Sequence, residues 1–285
     1  MAIKLKKLSA ILLSLIVLVF LSVPPEAKAD SSTDNSEIAE ASRSLEYLSP
    51  IFAYKGRPLN NDTNHRVTVL INHGYMVGYS ADRKQPLWAV YRVSNARRSV
   101  DYERPVFFYP DLRLAENARV GPETFAGYDR GHMAPNSAIN TQYGQLAQLE
   151  TFLMSNICPQ HRDLNRRLWQ TLEARVVNNY APARGQIWVI SGPIFEQNIG
   201  QVNGVDIPTH FFMILVDVGQ YPAYRPYILA FKFPQQPSAA SQLGDFLVSV
   251  NQIEEKTNLN FFTDFNDTQE SDYETNAAAG VWPLN

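Results

Sequence analysis

The stretch Tyr128–Asn136, YDRGHMAPN, sets a carboxylate, a guanidinium and an imidazole within four residues: Asp129, Arg130 and His132. An imidazole is the side chain best suited to take a proton near neutral pH. Gly131 lets the backbone bend or another group come close, and Pro135 is expected to keep the segment out of a regular helix. Each residue also has a plainer use. His132 serves equally as a hydrogen-bonded structural histidine, Arg130 as the ion-pair partner of its neighbour Asp129, and Asp129 as a turn or capping residue.

Further along, Asn165 opens the run DLNRRLWQTLEA and Glu173 follows eight residues later. An amide oxygen is a legitimate ligand for Mg²⁺, which keeps most of its water and needs few protein ligands. In a regular helix two residues eight apart are separated by about 12 Å along the axis and about 80° around it. Glu173 is therefore expected to hold a metal-bound water rather than the ion itself. The plainer uses are a helix cap for Asn165 and an ion pair with Arg166 or Arg167 for Glu173. Cys158 and His161 have C-x₂-H spacing, which with His132 or His210 would complete a zinc site, though the spacing is only half of such a pattern. Cys158 is the only cysteine, so no internal disulfide forms, and a small buried hydrophobe is its expected role.

These groups must be positioned by regular elements. RVTVLINHGYMVGYS reads as a hairpin around Asn72-His73-Gly74. PLWAVYRV reads as a strand, and residues 94–127, with three prolines and many charges, as a long irregular segment of the kind that carries function. QYGQLAQLETF reads as a short helix and TFLMSNI as a buried strand ended by Pro159. The clearest helix is DLNRRLWQTLEARVVNNY: Asp163 is its expected N-cap, Leu164, Leu168, Leu172 and Val176 share a face, and Pro182 lies just past its end. Three apolar strands follow, QIWVISGPIF, THFFMILVDV and YILAFKF, and then a second amphipathic helix over Ser241–Thr257. The pattern predicts an α+β domain with a substantial sheet and helices packed against it.

The chain has 285 residues. Lys4, Lys6 and Lys7 precede an apolar run from Leu8 to Val23 and an Ala27-Lys28-Ala29 cleavage pattern. Residues 1–29 therefore read as a secretory signal peptide, 30–49 as a flexible polar leader and 50–285 as one domain. A formal charge of −3 hides an asymmetry. Arg83–Arg184 holds 14 basic residues, 13 of them arginine, against 9 acidic ones, whereas 185–285 holds 3 basic against 11 acidic. An arginine-rich middle in an acidic chain suits an anionic substrate met at one place, and equally a set of solvated faces.

The ordered set DRGHMAP, MSNICPQ, LN, W and LE resembles the DNA/RNA non-specific endonuclease family, which includes endonuclease G and bacterial secreted sugar-non-specific nucleases. The resemblance covers roughly residues 65–260. It implies a mixed-sheet α+β core with a ββα-metal (His-Me finger) motif: one strand carries the histidine, a second returns, and a helix carries the metal ligand. It implies His132 as general base, Asn165 as the one direct protein ligand of Mg²⁺ (with Mn²⁺ as a substitute), Arg130 and Glu173 in catalysis, and Asn156 in support. NARRSVDYERP resembles the segment supplying a phosphate-binding arginine; Arg98 is assigned, with Arg97 and Arg104 as competitors. DNA and RNA are then the substrates, cut to 5′-phosphate and 3′-hydroxyl ends, with an inhibitor protein as a further partner. The competing expectation is a polyanion-binding or zinc-binding secreted protein of the same fold without activity.

Overall fold

A computed structural model describes residues 45–63, 65–96, 102–219 and 225–284. The expected signal peptide, and the candidates Arg97 and Arg98, lie outside the described residues. The compact unit runs from Leu48 to Asn285, and among the described residues no helix is long and apolar enough to cross a membrane.

A helix, α1, covers residues 45–52. Strands β1 (Val67–Ile71) and β2 (Tyr75–Ser80) form the expected hairpin, and β3 (Gln85–Ser94) pairs with β2. After an irregular stretch come β4 (Asp129–His132), the helices α2 (Asn136–Tyr143) and α3 (Gln145–Glu150), and β5 (Ile157–Gln160). A long helical run, α4, occupies residues 162–184. Strands β6 (Gln186–Ile194), β7 (His210–Asp217), β8 (Tyr227–Pro234) and β9 (Leu247–Val248) follow, and then α5 (Val250–Thr257) and α6 (Asp267–Glu274).

Seven strands form one sheet in the order β9-β8-β7-β6-β3-β2-β1. The α+β class is as expected, but the sheet, expected mixed, is antiparallel at every pairing among the described residues. Short connections impose this, since parallel neighbours need a long crossover. One sheet face, including Tyr91, Val189, Phe211 and Phe231, packs against Leu164, Leu168, Trp169, Leu172 and Val176 of α4. The apolar stripe read from the sequence is therefore the stripe that docks the helix.

Several local expectations need correction. Pro135 does not exclude a helix; it is the N-cap of α2, where a missing N–H costs little. The single helix expected around residues 142–152 is two, because Gly144 has φ 92° and breaks the run, a conformation only glycine adopts freely. The strand expected over TFLMSNI starts at Ile157 and contains Pro159. Proline is tolerated because β4 and β5 form a two-stranded ribbon with an open edge. Asp163 is already helical and makes no side-chain cap, so α4 begins before it; Pro182 lies inside its last turn, and the run ends at Gly185. The helix expected over Ser241–Thr257 is shorter, because Ser249 and Gln252 form a capping box that starts α5 at Val250.

Candidate active site

Strands β4 and β5 pair antiparallel, His132 opposite Ile157 and Gly131 opposite Cys158, and α4 follows β5 directly. This is the ββα arrangement the sequence implied. Gly131 is explained by contact: a Cβ there would collide with the Gln160 side chain, so any larger residue would push the two strands apart.

The backbone that carries His132 is held at consecutive atoms. Trp169 Nε1 donates to His132 O at 3.3 Å. Met133 N donates to Asn156 O at 3.0 Å, and Ser191 Oγ donates to Met133 O at 2.8 Å. Asn156 is wholly buried, and its side chain closes the set. Its Oδ1 accepts from Ala134 N at 2.8 Å, while its Nδ2 donates to Ala134 O and Thr151 O at 2.9 and 3.0 Å. The supporting role expected of Asn156 is thus concrete: it clamps the strand exit behind the histidine.

The His132 imidazole is buried between two aromatic rings, Phe108 at 5.5 Å and Phe152 at 5.2 Å between centroids. Burial, helped by the nearby Arg104 charge, drives its pKa down to about 3, against the pull of a hydrogen bond with the Arg130 backbone. The ring is therefore neutral across the physiological range, and Nε2 is a buried atom without a hydrogen-bond partner. A neutral imidazole with an open nitrogen is the form a general base requires.

Asn165 sits on α4 and donates from Nδ2 to Asp129 Oδ2 at 2.9 Å. Because the amide is planar, this bond directs Oδ1 the other way. Asp129 also accepts from Arg166 Nε at 2.7 Å and Nη2 at 2.6 Å. Those bonds, the Arg166 ones foremost, hold its carboxyl below the usual carboxylate range. Asp129 thus orients the asparagine, not the histidine, and its ion-pair partner is Arg166 rather than Arg130. Asn165 lies within the helix and is no cap, and Arg166 and Arg167 are engaged with Asp129 and with Ser238 O and Ala239 O rather than with Glu173.

Residues Leu164–Trp169 are π-helical, with Gln170 N bonded back to Asn165 O. Each residue in such a wide turn rotates the chain less than in an α-helix. The separation expected between Asn165 and Glu173 from regular geometry therefore does not apply. Glu173 keeps part of its surface open, yet its carboxyl lies in dense packing. Burial pushes its pKa up to about 8, offset by a hydrogen bond with Trp169 and by the Arg104 charge.

Arg104 is thus the electrostatic neighbour of both His132 and Glu173. Its guanidinium lies 5.0 Å from the Phe152 ring centre. Of the three upstream arginines considered from sequence, it is the one within the described residues, and it faces this site. Arg130 donates from Nε to Pro122 O at 2.8 Å and lies 5.3 Å from the Phe108 ring centre, with its terminal nitrogens facing outward. Gln160 was not singled out from sequence; it is fully buried against Gly131, with neither end of its amide hydrogen-bonded. The closing glutamine of MSNICPQ was the available signal.

The residues fit a hydrated Mg²⁺ better than zinc. One oriented amide oxygen, with an unpartnered amide at Gln160, suits a hard ion that keeps its water. Among the described residues there is no cluster of three or more His, Cys, Asp or Glu side chains placed to hold a metal. Cys158 is in the apolar core with its thiol pushed well up by burial, the opposite of what a zinc thiolate needs. The zinc expectation is not supported.

A buried histidine on a β-ribbon, facing a helix that carries an oriented asparagine, is the layout of a ββα nuclease. The family model for the DNA/RNA non-specific endonuclease matches residues 56–268, and the chain belongs to that family. It is 30% identical over 214 residues to "Nuclease 1, mitochondrial" of Schizosaccharomyces pombe, covering 66% of this chain and 64% of that protein. It is 29% identical over 225 residues to "Nuclease EXOG, mitochondrial" of Mus musculus, covering 73% and 59%. The chain thus spans about three fifths of the length of these relatives. A chain in the crystal structure of an EndoG/EndoGI complex shares the fold, with a TM-score of 0.64 at 24% identity over 78% of this chain and 94% of that one.

Proposed function

We propose that this chain is a metal-dependent endonuclease that hydrolyses phosphodiester bonds in both DNA and RNA. The observation that carries the reading is the buried, neutral His132 with an open Nε2, on a strand whose Asp129 orients Asn165. In the proposed reaction Nε2 takes a proton from the attacking water as its oxygen closes on phosphorus. Arg104 and Arg130 neutralise the nonbridging oxygens as charge builds. Asn165 would hold Mg²⁺, or Mn²⁺ in its place, with Glu173 toward its water shell; when bound, such an ion polarises the phosphate and stabilises the departing 3′-oxygen. The products are 5′-phosphate and 3′-hydroxyl ends. No group in this set reads the 2′-hydroxyl or a base edge, which accounts for acting on both polymers with little sequence preference.

Family membership and nuclease-named relatives support the reading. Digestion of plasmid DNA and of RNA, each with Mg²⁺ and with EDTA, tests it. Both polymers should be fragmented with Mg²⁺ and stay intact with EDTA. Cleavage in EDTA, or intact polymers in Mg²⁺, would remove it and leave a binding protein. We further propose export through residues 1–29 and, given a relative solved in complex with EndoGI, restraint by an inhibitor protein. A mature N-terminus at Asp30 in the extracytoplasmic fraction checks the export step.

A further inference from the structure

Phe107 and Tyr109 are 67% and 50% exposed, and Val106 and Leu112 beside them 78% and 75%. Large apolar side chains presented side by side on a surface mark a contact site. Here the backbone beneath them is fixed: Tyr109 N donates to Phe152 O at 3.0 Å, and Tyr109 O accepts from Met154 N at 2.8 Å. The segment alternates, Phe108 turning inward and its two neighbours outward. Phe108 is the ring 5.5 Å from the His132 imidazole. Adjacent Cα atoms are 3.8 Å apart, so Phe107 and Tyr109 lie within one or two nucleotides' reach of the general base.

Cations accompany these rings. Arg104 lies over Phe152 and Arg130 over Phe108, both on the exposed side, and among the described residues neither joins an ion pair. Flat apolar faces beside unneutralised guanidiniums match a nucleotide strand, base against ring and phosphate against cation. We infer that Phe107 and Tyr109 form a platform on which unpaired bases flanking the scissile phosphate stack. The inference rests on the nuclease reading above and adds a determinant for the form of the substrate. Stacking on one aromatic side chain strengthens binding roughly ten- to hundredfold.

The test uses two single-stranded DNA oligonucleotides. One is intact with 2-aminopurine beside its central linkage; the other is abasic on both sides of that linkage. Binding is measured in EDTA and cleavage in Mg²⁺. The parent protein should bind the intact strand about tenfold more tightly than the abasic one and quench the 2-aminopurine, as stacking on a ring does. F107A/Y109A should abolish that preference and the quenching, raise KM for the intact strand about tenfold and leave kcat within about twofold, consistent with loss of binding alone. F107L/Y109L, apolar without flat rings, should behave the same way. The platform is overturned if the parent treats the two strands alike, if F107A/Y109A weakens both equally, or if the variant changes only self-association in sedimentation. Binding preference without any cleavage would sink the nuclease reading and support the platform; cleavage without preference would do the reverse.

Discussion

The two walls of the site are built on opposite principles. On the histidine wall, His132 is buried between Phe108 and Phe152, and the backbone behind it is pinned by Trp169, Ser191 and Asn156. On the asparagine wall, Asn165 is oriented by Asp129, which is held by an exposed Arg166. A base that must stay uncharged benefits from a dry apolar setting, whereas a ligand for a hydrated ion needs fixed direction with access to water. Damage to the first wall should therefore appear in turnover and folding, and damage to the second in metal dependence.

The largest effect tests the histidine wall directly. His132→Ala should lower kcat by about 10²–10⁴ while oligonucleotide affinity stays nearly unchanged; a variant that turns over at the parent rate shows that another group is the base. Next, Asn156→Ala strips partners from Ala134 N, Ala134 O and Thr151 O. Each buried group left unpaired costs about 1–3 kcal/mol, so thermal denaturation should show a marked drop in Tm, with no change in the Mg²⁺ midpoint. On the other wall, Asp129→Ala should raise that midpoint about 10–100-fold with saturated kcat largely kept. A loss of kcat with an unchanged midpoint would mean that Asp129 serves the histidine after all.

The smallest effect separates the walls by the sign of their pH response in metal-free protein. His132, held at about 3 in the fold, binds fewer protons than the unfolded chain between about pH 3 and 6.5. Stability therefore falls on acidification through that window, by at most about 1.4 kcal/mol per pH unit. Glu173, pushed up to about 8, binds more protons than the unfolded chain between about pH 4.5 and 8, so its contribution falls as pH rises. Denaturant titrations of His132→Gln and Glu173→Gln should flatten the acid and alkaline limbs respectively.

The order of elements could be read from the sequence because its signals are local. Alternating apolar residues gave the hairpin and the strands after residue 185, and the Leu164, Leu168, Leu172, Val176 stripe gave the face of α4. Helix ends were harder, since Pro135 and Pro182 each suit a helix terminus from inside or outside. The motif named His132, Asn156, Asn165 and Glu173, yet the partners of Asp129, Arg104 and Gln160 depend on contacts between segments distant along the chain. A π-helical stretch has no periodicity that distinguishes it from an α-helix, so the spacing argument for Glu173 rested on the wrong pitch.

That stretch makes the length of the segment as meaningful as its composition. Leu164–Trp169 spends extra chain on a widened coil, and a shorter loop could be restored to an ordinary α-helix by excising a single position. Such a deletion would swing everything after it by about 100°, carrying Glu173 off its side of the cleft while the stripe that docks on the sheet loses its register. The helix thus acts as a phase-setting spacer: it tolerates exchange of many exposed side chains and resists any change in count.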